Sequence, residues 1–428
     1  MSSRVKEFKI VVTGDGKIEL KDAASNIGTY RLSLDPVRIR TIEALIDMLR
    51  EGRLVRTREY QTLGANLYSV LLDNAIGQEL IRQVDEQKAR NRLRVNLEFE
   101  TGPSKGEITY GLECWPWEYL YYEPSQHQRG RRQFLATATR LTLTRSLRLQ
   151  GLSSTVLEEP PLRILFFAAR PSNLTRFEPE KTKAVLEAFK EDVTKSLAER
   201  FPDAEGALVE FQCWTDPDPK LATDHSPTYQ AACTWKRFEG LVFTFQPNVI
   251  HFLGHGDYDE EDDKGRIAFT QTNGEADWIT DDDITECLDS ARDRLKLVFL
   301  QACESGSPPK SRHNPYRGVS GIGLSLAKCD IPAVVAMQYN IKPRDADTFA
   351  YEFYGALAEN EPIDVAVQIG RKKISARSGE AFGLPVLYSR KPGTLFPDKP
   401  AAQSPRGYNP TTAPVGGAPM TGQDPTIR

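Results

Sequence analysis

Cysteine is scarce in this chain and follows no pattern. The six cysteines, at 114, 213, 233, 287, 303 and 329, include no CxxC pair and no regular spacing. With no signal-peptide pattern, that argues against a disulfide framework and for a reducing, cytoplasmic setting. Long apolar runs are missing too. None approaches the ~18 residues that span a bilayer, so no membrane partner is expected. Charge of one sign is also lacking: 55 Lys and Arg against 59 Asp and Glu leave a net charge of -4. Such a balance gives no basic field for nucleic acid, and no direct nucleic-acid partner is expected. What remains is ample for a packed interior, with 39% hydrophobic residues in 428. That length allows two or three domains, or one large α/β unit with additions.

Two stretches organise the rest. Residues 248–257, NVIHFLGHGD, and 296–306, KLVFLQACESG, are each a short β-branched and aromatic run that stops at a reactive side chain followed closely by glycine. The first stops at His255 and Gly256, the second at Cys303. Ligands of open parallel sheets sit beyond the carboxyl ends of the strands, so two such strands side by side bring an imidazole and a thiol to one edge. A thiol near pKa ~8.5 is mostly neutral at pH 7, and only its thiolate attacks well. A neighbouring imidazole removes that proton and returns one to a leaving amine. The backbone NH groups of Gly256 and Cys303 are the expected oxyanion donors. No metal or cofactor is required.

These residues carry a resemblance. Gln301, Ala302 and Cys303 follow His255 at a spacing of 48, similar to a caspase signature whose His lies about 50 residues upstream. Glu304 departs from that signature, and its glycine comes one place late, at 306. A longer ordered set resembles the CHAT family of bacterial caspase-like (clan CD) cysteine peptidases: Trp115–Glu118 before Tyr119–Tyr122, Arg145 with Ser146, HFLGHG, QACESG, Met337–Ile341 and Phe353–Leu357. It spans residues 92–390. The resemblance implies a caspase-like, mostly parallel sheet flanked by helices. It also implies a cysteine endopeptidase that cuts a specific protein substrate through His255 and Cys303, under a regulatory protein partner, in bacterial defence or stress signalling. In that pattern Gln301, two before the nucleophile, faces the pocket for the side chain preceding the cut, and being neutral it predicts neither sign of substrate. Asp257 is a second candidate for that pocket. The rival is a catalytically silent caspase-like scaffold that recruits partners.

Four segments are expected along the chain. Residues 1–91 read as a small α-rich lobe, with strands at Phe8–Thr13 and Thr29–Leu34 and amphipathic helices at Val37–Arg50, Tyr60–Leu72 and Ile76–Val84. Residues 92–160 are expected to form a β-rich pseudo-caspase or accessory part of the CHAT region. Residues 161–395 alternate strands and helices from LRILFFAA (162–169) onward, as a catalytic α/β domain does. Residues 396–428 change to Pro, Gly, Ser, Thr and Ala, the composition of a disordered tail or linker.

Other features have competing readings. His251, four before His255 and on the same strand face, is expected to be a hydrogen-bonded core residue. A zinc set of His251, His255 and Cys303 is the alternative, without a fourth ligand or HExxH spacing. The acidic run 257–263, DYDEEDD, is a solvated hairpin, or else a calcium site or an electrostatic lure for basic segments, though its spacing is not an EF-hand. The aromatic stretch 115–122 suits core packing better than base stacking. RGRR at 129–132 is a hairpin tip or a processing site. GVSGIG at 318–323 opens a helix and lacks the GK[ST] ending of a phosphate loop. The loop 304–320 is expected to be a mobile substrate-binding segment.

Overall fold

A computed structural model describes residues 6–21, 28–88, 91–100, 112–124, 130–147, 154–217, 232–259, 262, 264–304 and 319–399. The expected tail from 400 onward, most of the loop 304–320 and Arg129 lie outside the described residues.

The chain begins with β1 (Lys6–Val12), β2 (Lys17–Leu20) and β3 (Tyr30–Arg31), followed by α1 (Pro36–Arg50), α2 (Thr57–Leu71) and α3 (Ala75–Glu86). Asp35 caps α1 by accepting from the backbone NH groups of Val37 and Arg38, and Pro36 supplies a preset first turn. Next come β4 (Leu93–Phe99), β5 (Tyr121–Tyr122), β6 (Gln133–Phe134) and β7 (Leu141–Leu147). The alternating part runs β8 (Leu162–Ala168), α4 (Glu180–Arg200), β9 (Val209–Thr215), α5 (Trp235–Phe245) and β10 (Val249–Asp259). It continues through β11 (Lys264–Thr270), β12 (Ala276–Thr280), α6 (Asp281–Asp289) and β13 (Leu297–Glu304). It closes with α7 (Val319–Lys328), β14 (Val334–Met337), α8 (Pro343–Ala358), α9 (Ile363–Ser378) and β15 (Pro385–Tyr388).

Among the described residues thirteen strands join one sheet, ordered β12-β11-β10-β13-β14-β15-β7-β4-β1-β2-β3, with β8 on β10 and β9 on β8. Pairing is parallel in its centre, through β9, β8, β10, β13 and β14 and again through β15, β7, β4 and β1. The α/β, mostly parallel sheet flanked by helices is therefore the observed fold. Strand alternation sorts its layers. Phe166 and His251 meet Tyr354 and the α8 side, whereas Phe167 and Phe252 stack toward Phe238 of α5 on the opposite face. Both faces are covered, which is why these strands read as continuous apolar runs. No helix among the described residues is long and apolar enough to cross a membrane.

One sheet draws strands from either side of residues 91 and 160. β1 pairs in parallel with β4 over seven residue pairs, β4 with β7, and β7 with β15. Described residues up to Pro397 form one compact unit, and a second begins at Asp398. The N-terminal helices are attached just as closely. A Cβ on Gly64 of α2 would lie 2.1 Å from the carbonyl oxygen of Tyr119, so only glycine permits that approach. Trp115, Trp117 and Tyr119 are buried, which makes the aromatic stretch core.

Two further expectations need adjusting. The helix expected at Tyr229–Glu239 starts only at Trp235, because Asp216 accepts the NH groups of Ala232 and Cys233 and Thr234 caps the first turn. The strand expected to stop at His255 and Gly256 runs on to Asp259. Asp257 stands directly opposite Arg266 in the antiparallel β10–β11 pair, and the cross-strand charge pair extends a ladder that the acidic composition had suggested was loop.

Candidate active site

The parallel ladder between β10 and β13 opens on Val249 with Leu297 and closes on Gly256 with Glu304. Near its carboxyl end it aligns Leu253 with Gln301 and His255 with Cys303. The flanking β8 stops earlier, at Ala168 opposite Leu253, so the last residues of β10 lie beyond that neighbour, at the strand edge where open sheets bind ligands. The sequence motifs thus reach one edge because the strands bearing them are adjacent and in register.

His255 is 7% exposed. Its Nε2 lies 2.6 Å from the carbonyl oxygen of Thr175. A carbonyl only accepts, so Nε2 carries the proton, and in the neutral ring Nδ1 keeps a free lone pair. Phe177 packs against the ring at 5.5 Å between centroids. Burial pulls the His255 pKa below the ordinary imidazole value, with the Thr175 hydrogen bond acting the other way. The arrangement presents an oriented imidazole that is neutral at pH 7 and has one basic nitrogen, which is what a general base needs. Sequence reasoning missed Thr175 because its contribution is a backbone carbonyl, which leaves no signature in residue type.

His251 is a core residue, fully buried. Its Nδ1 is 3.0 Å from the Tyr354 hydroxyl and its Nε2 is 3.1 Å from Gln301 Oε1. Burial lowers its pKa to about 3. Both ring nitrogens are used inside the core, where the zinc alternative would have needed one. Among the described residues no group of three or more His, Cys, Asp or Glu is arranged to hold a metal ion.

Beside His255 opens a cavity of about 510 Å³, lined in part by Leu253, Gln301, Ile341, Ala346 and Asp347. Gln301, buried to 5% exposure, lines this cavity. Asp347, one turn into α8, is a residue the sequence did not flag. It is half-buried, accepts from the Thr182 hydroxyl at 3.3 Å and is hydrogen-bonded by Gln301. Burial raises its carboxyl pKa, opposed by Lys181, Thr182 and Gln301. Asp257 is not part of this lining. It is held by Arg266 at 2.8 Å, and Asp259 holds the same guanidinium at 2.5 Å, which leaves the acidic run as an ion-paired hairpin over its described residues. Gly256 lies within the ladder, opposite Ile267 on one side and Glu304 on the other.

The remaining cysteines differ from a nucleophile in environment. Burial pushes the thiols of Cys213, Cys233 and Cys329 up, and that of Cys287 up to about 12.

The protein is thus an α/β fold whose mostly parallel sheet carries a histidine and a cysteine in register near the ends of adjacent strands. The chain belongs to the CHAT domain family, whose model matches residues 61–391. No curated protein matches the sequence. Among solved structures it is similar to the Arg specific cysteine proteinase gingipain R, at 10% identity and a TM-score of 0.44 over 91% of this chain and 78% of that one. The complex of Porphyromonas gingivalis RgpB pro- and mature domains is similar at 11% identity and a TM-score of 0.40, over 83% and 76%. The Saccharomyces cerevisiae separase–securin complex follows at 12% and 0.36, over 85% of this chain and 23% of that one. At such scores none of the three likenesses bears on the activity of this chain.

Proposed function

We propose that this protein is a cysteine endopeptidase with Cys303 as nucleophile and His255 as general base and acid. The observation that carries the reading is the parallel register of His255 with Cys303, next to a cavity and with the imidazole already oriented by Thr175. In the first step Nδ1 of His255 takes the Cys303 thiol proton and the sulfur bonds to the peptide carbonyl carbon. The backbone NH groups of Gly256 and Cys303 receive the negative charge on its oxygen. The imidazolium then protonates the departing amine as the C–N bond breaks, which leaves a thioester. A water deprotonated by His255 hydrolyses the thioester, and the proton returns to sulfur. Thr175 supports both halves, because its carbonyl holds the Nε2 proton and stabilises the imidazolium between steps.

Family resemblance extends the proposal to a specific cytoplasmic protein substrate, control by a protein partner and a role in bacterial defence or stress signalling, with no cofactor in the reaction. The test is digestion of a mixed peptide library followed by mass spectrometry. Cleavage at a restricted set of bonds by the wild type, absent in Cys303→Ala, is the expected result. No cleavage by either protein, alone or with lysate from its natural host, would favour the silent scaffold.

A further inference from the structure

We propose that Asp347 is the specificity-determining residue of the cavity beside His255, and that it selects a cationic side chain, arginine or lysine, on the residue whose carbonyl is attacked. This rests on the peptidase reading of the site.

The charge pattern of the lining carries the inference. Arg176, Glu178 and Lys181 also border the cavity, but all three are exposed, where solvent and salt screen them. Apart from His255, Asp347 is the one titratable lining residue that is not exposed; it is half-buried, with Lys181 acting on it as a nearby charge, and forms no close ion pair among the described residues. A charge held in lower dielectric acts more strongly on an incoming group than a rim charge does. The walls suit such a guest. Leu253, Ile341, Pro343 and Ala346 are apolar and would take the methylene stem, while the carboxylate meets the head group.

Hydrogen-bond direction explains why Asp347, rather than Gln301, is the acceptor on offer. The carboxylate accepts from Gln301, so the amide nitrogen of Gln301 donates to it and Oε1 is left to accept from His251 Nε2. With Nε2 donating, Nδ1 of the neutral ring accepts from the Tyr354 hydroxyl. Every link from Tyr354 through His251 and Gln301 to Asp347 then has one allowed polarity. Flipping the Gln301 amide would set two acceptors against each other at Asp347, so the carboxylate locks the amide and its oxygen is spent inside the core.

The test uses the full chain and peptidyl acyloxymethyl ketones that differ only in the residue before the warhead, Arg, Lys, Leu or Asp, with labelling of Cys303 followed by intact mass. Arg and Lys probes should label at least about tenfold faster than Leu or Asp probes, since a desolvated charge pair is worth more than one such factor. Asp347→Asn should collapse that ratio and Asp347→Glu should largely retain it. Equal rates for all four probes, or a ratio unchanged in Asp347→Asn, would overturn the inference and leave the peptidase reading standing. If no probe labels Cys303 in folded protein, the peptidase reading fails. Calorimetry with agmatine then decides the cavity separately: binding lost in Asp347→Asn sustains a cation site, and no binding to the wild type removes it.

Discussion

His255 and Cys303 are register partners in a parallel ladder whose earlier pairs are buried core, from Val249 with Leu297 to Phe252 with Leu300. Neighbouring strands lie ~4.8 Å apart, so this pairing is set by the interior of the sheet and not by a loop. The His255 imidazole, buried at the end of that ladder, should titrate as its burial dictates.

The acid limb of the pH–rate profile follows from that. Burial depresses the His255 pKa, and the neutral ring is the base. The rate of peptide hydrolysis should therefore fall as pH drops through a midpoint below the ordinary imidazole value of 6.5. A kcat/KM profile with its acid limb above 6.5 would contradict the assigned environment.

His251 predicts a stability effect of the same sign. Its folded pKa of about 3 is below the unfolded 6.5, so its contribution is complete above pH 6.5 and is lost progressively as pH falls toward 3. At about 1.4 kcal/mol per unit the total reaches several kcal/mol. Urea unfolding at pH 7 and pH 4 should show a smaller difference for His251→Asn than for the wild type. Equal differences would mean that the ring is not held neutral.

Glu118 is the third test. It is fully buried, accepts from both Arg145 and Arg371, and binds the Gln338 amide at 2.7 Å. Burial lowers the Arg371 pKa to about 10, with Glu118 opposing and Arg145 adding to the fall. Among the described residues Glu118 is the carboxylate that pairs with both guanidiniums, so removing it leaves two uncompensated charges. Glu118→Ala should cost roughly 3–5 kcal/mol in denaturant unfolding. A loss below about 1 kcal/mol would show that the cluster is wetter than its burial implies.

Much of the central sheet was legible because its strands are covered on both faces and therefore read as apolar runs. LRILFFAA falls on β8 almost residue for residue. β7 was not legible as a strand. Its sequence, LTLTRSL, is half polar, and it is buried only because Arg145 finds Glu118 and Thr142 finds Asp364, at 27 and 222 residues' separation. The pairing across residue 91 was hidden for a related reason: composition changes there, but β1 finds its partner β4 across the change. At the site, His255, Cys303 and Gln301 could be found from strand-end motifs. Thr175 acts through its backbone, and Asp347 reaches the cavity through the fold of α8, so neither had a local signal.

The central claim is an activated thiol at Cys303, and intact-mass alkylation with a limiting thiol reagent near neutral pH tests it most directly. The wild type should take one label, at Cys303. Cys303→Ala should take none at that rate, and His255→Ala should label roughly tenfold more slowly, since thiolate fraction governs the reaction. The described free cysteines, among them Cys213, Cys233 and Cys287, should stay unlabelled while the protein is folded, their thiols being pushed up by burial. Slow labelling spread over several of them, or a Cys303 rate indifferent to His255→Ala, would contradict the account.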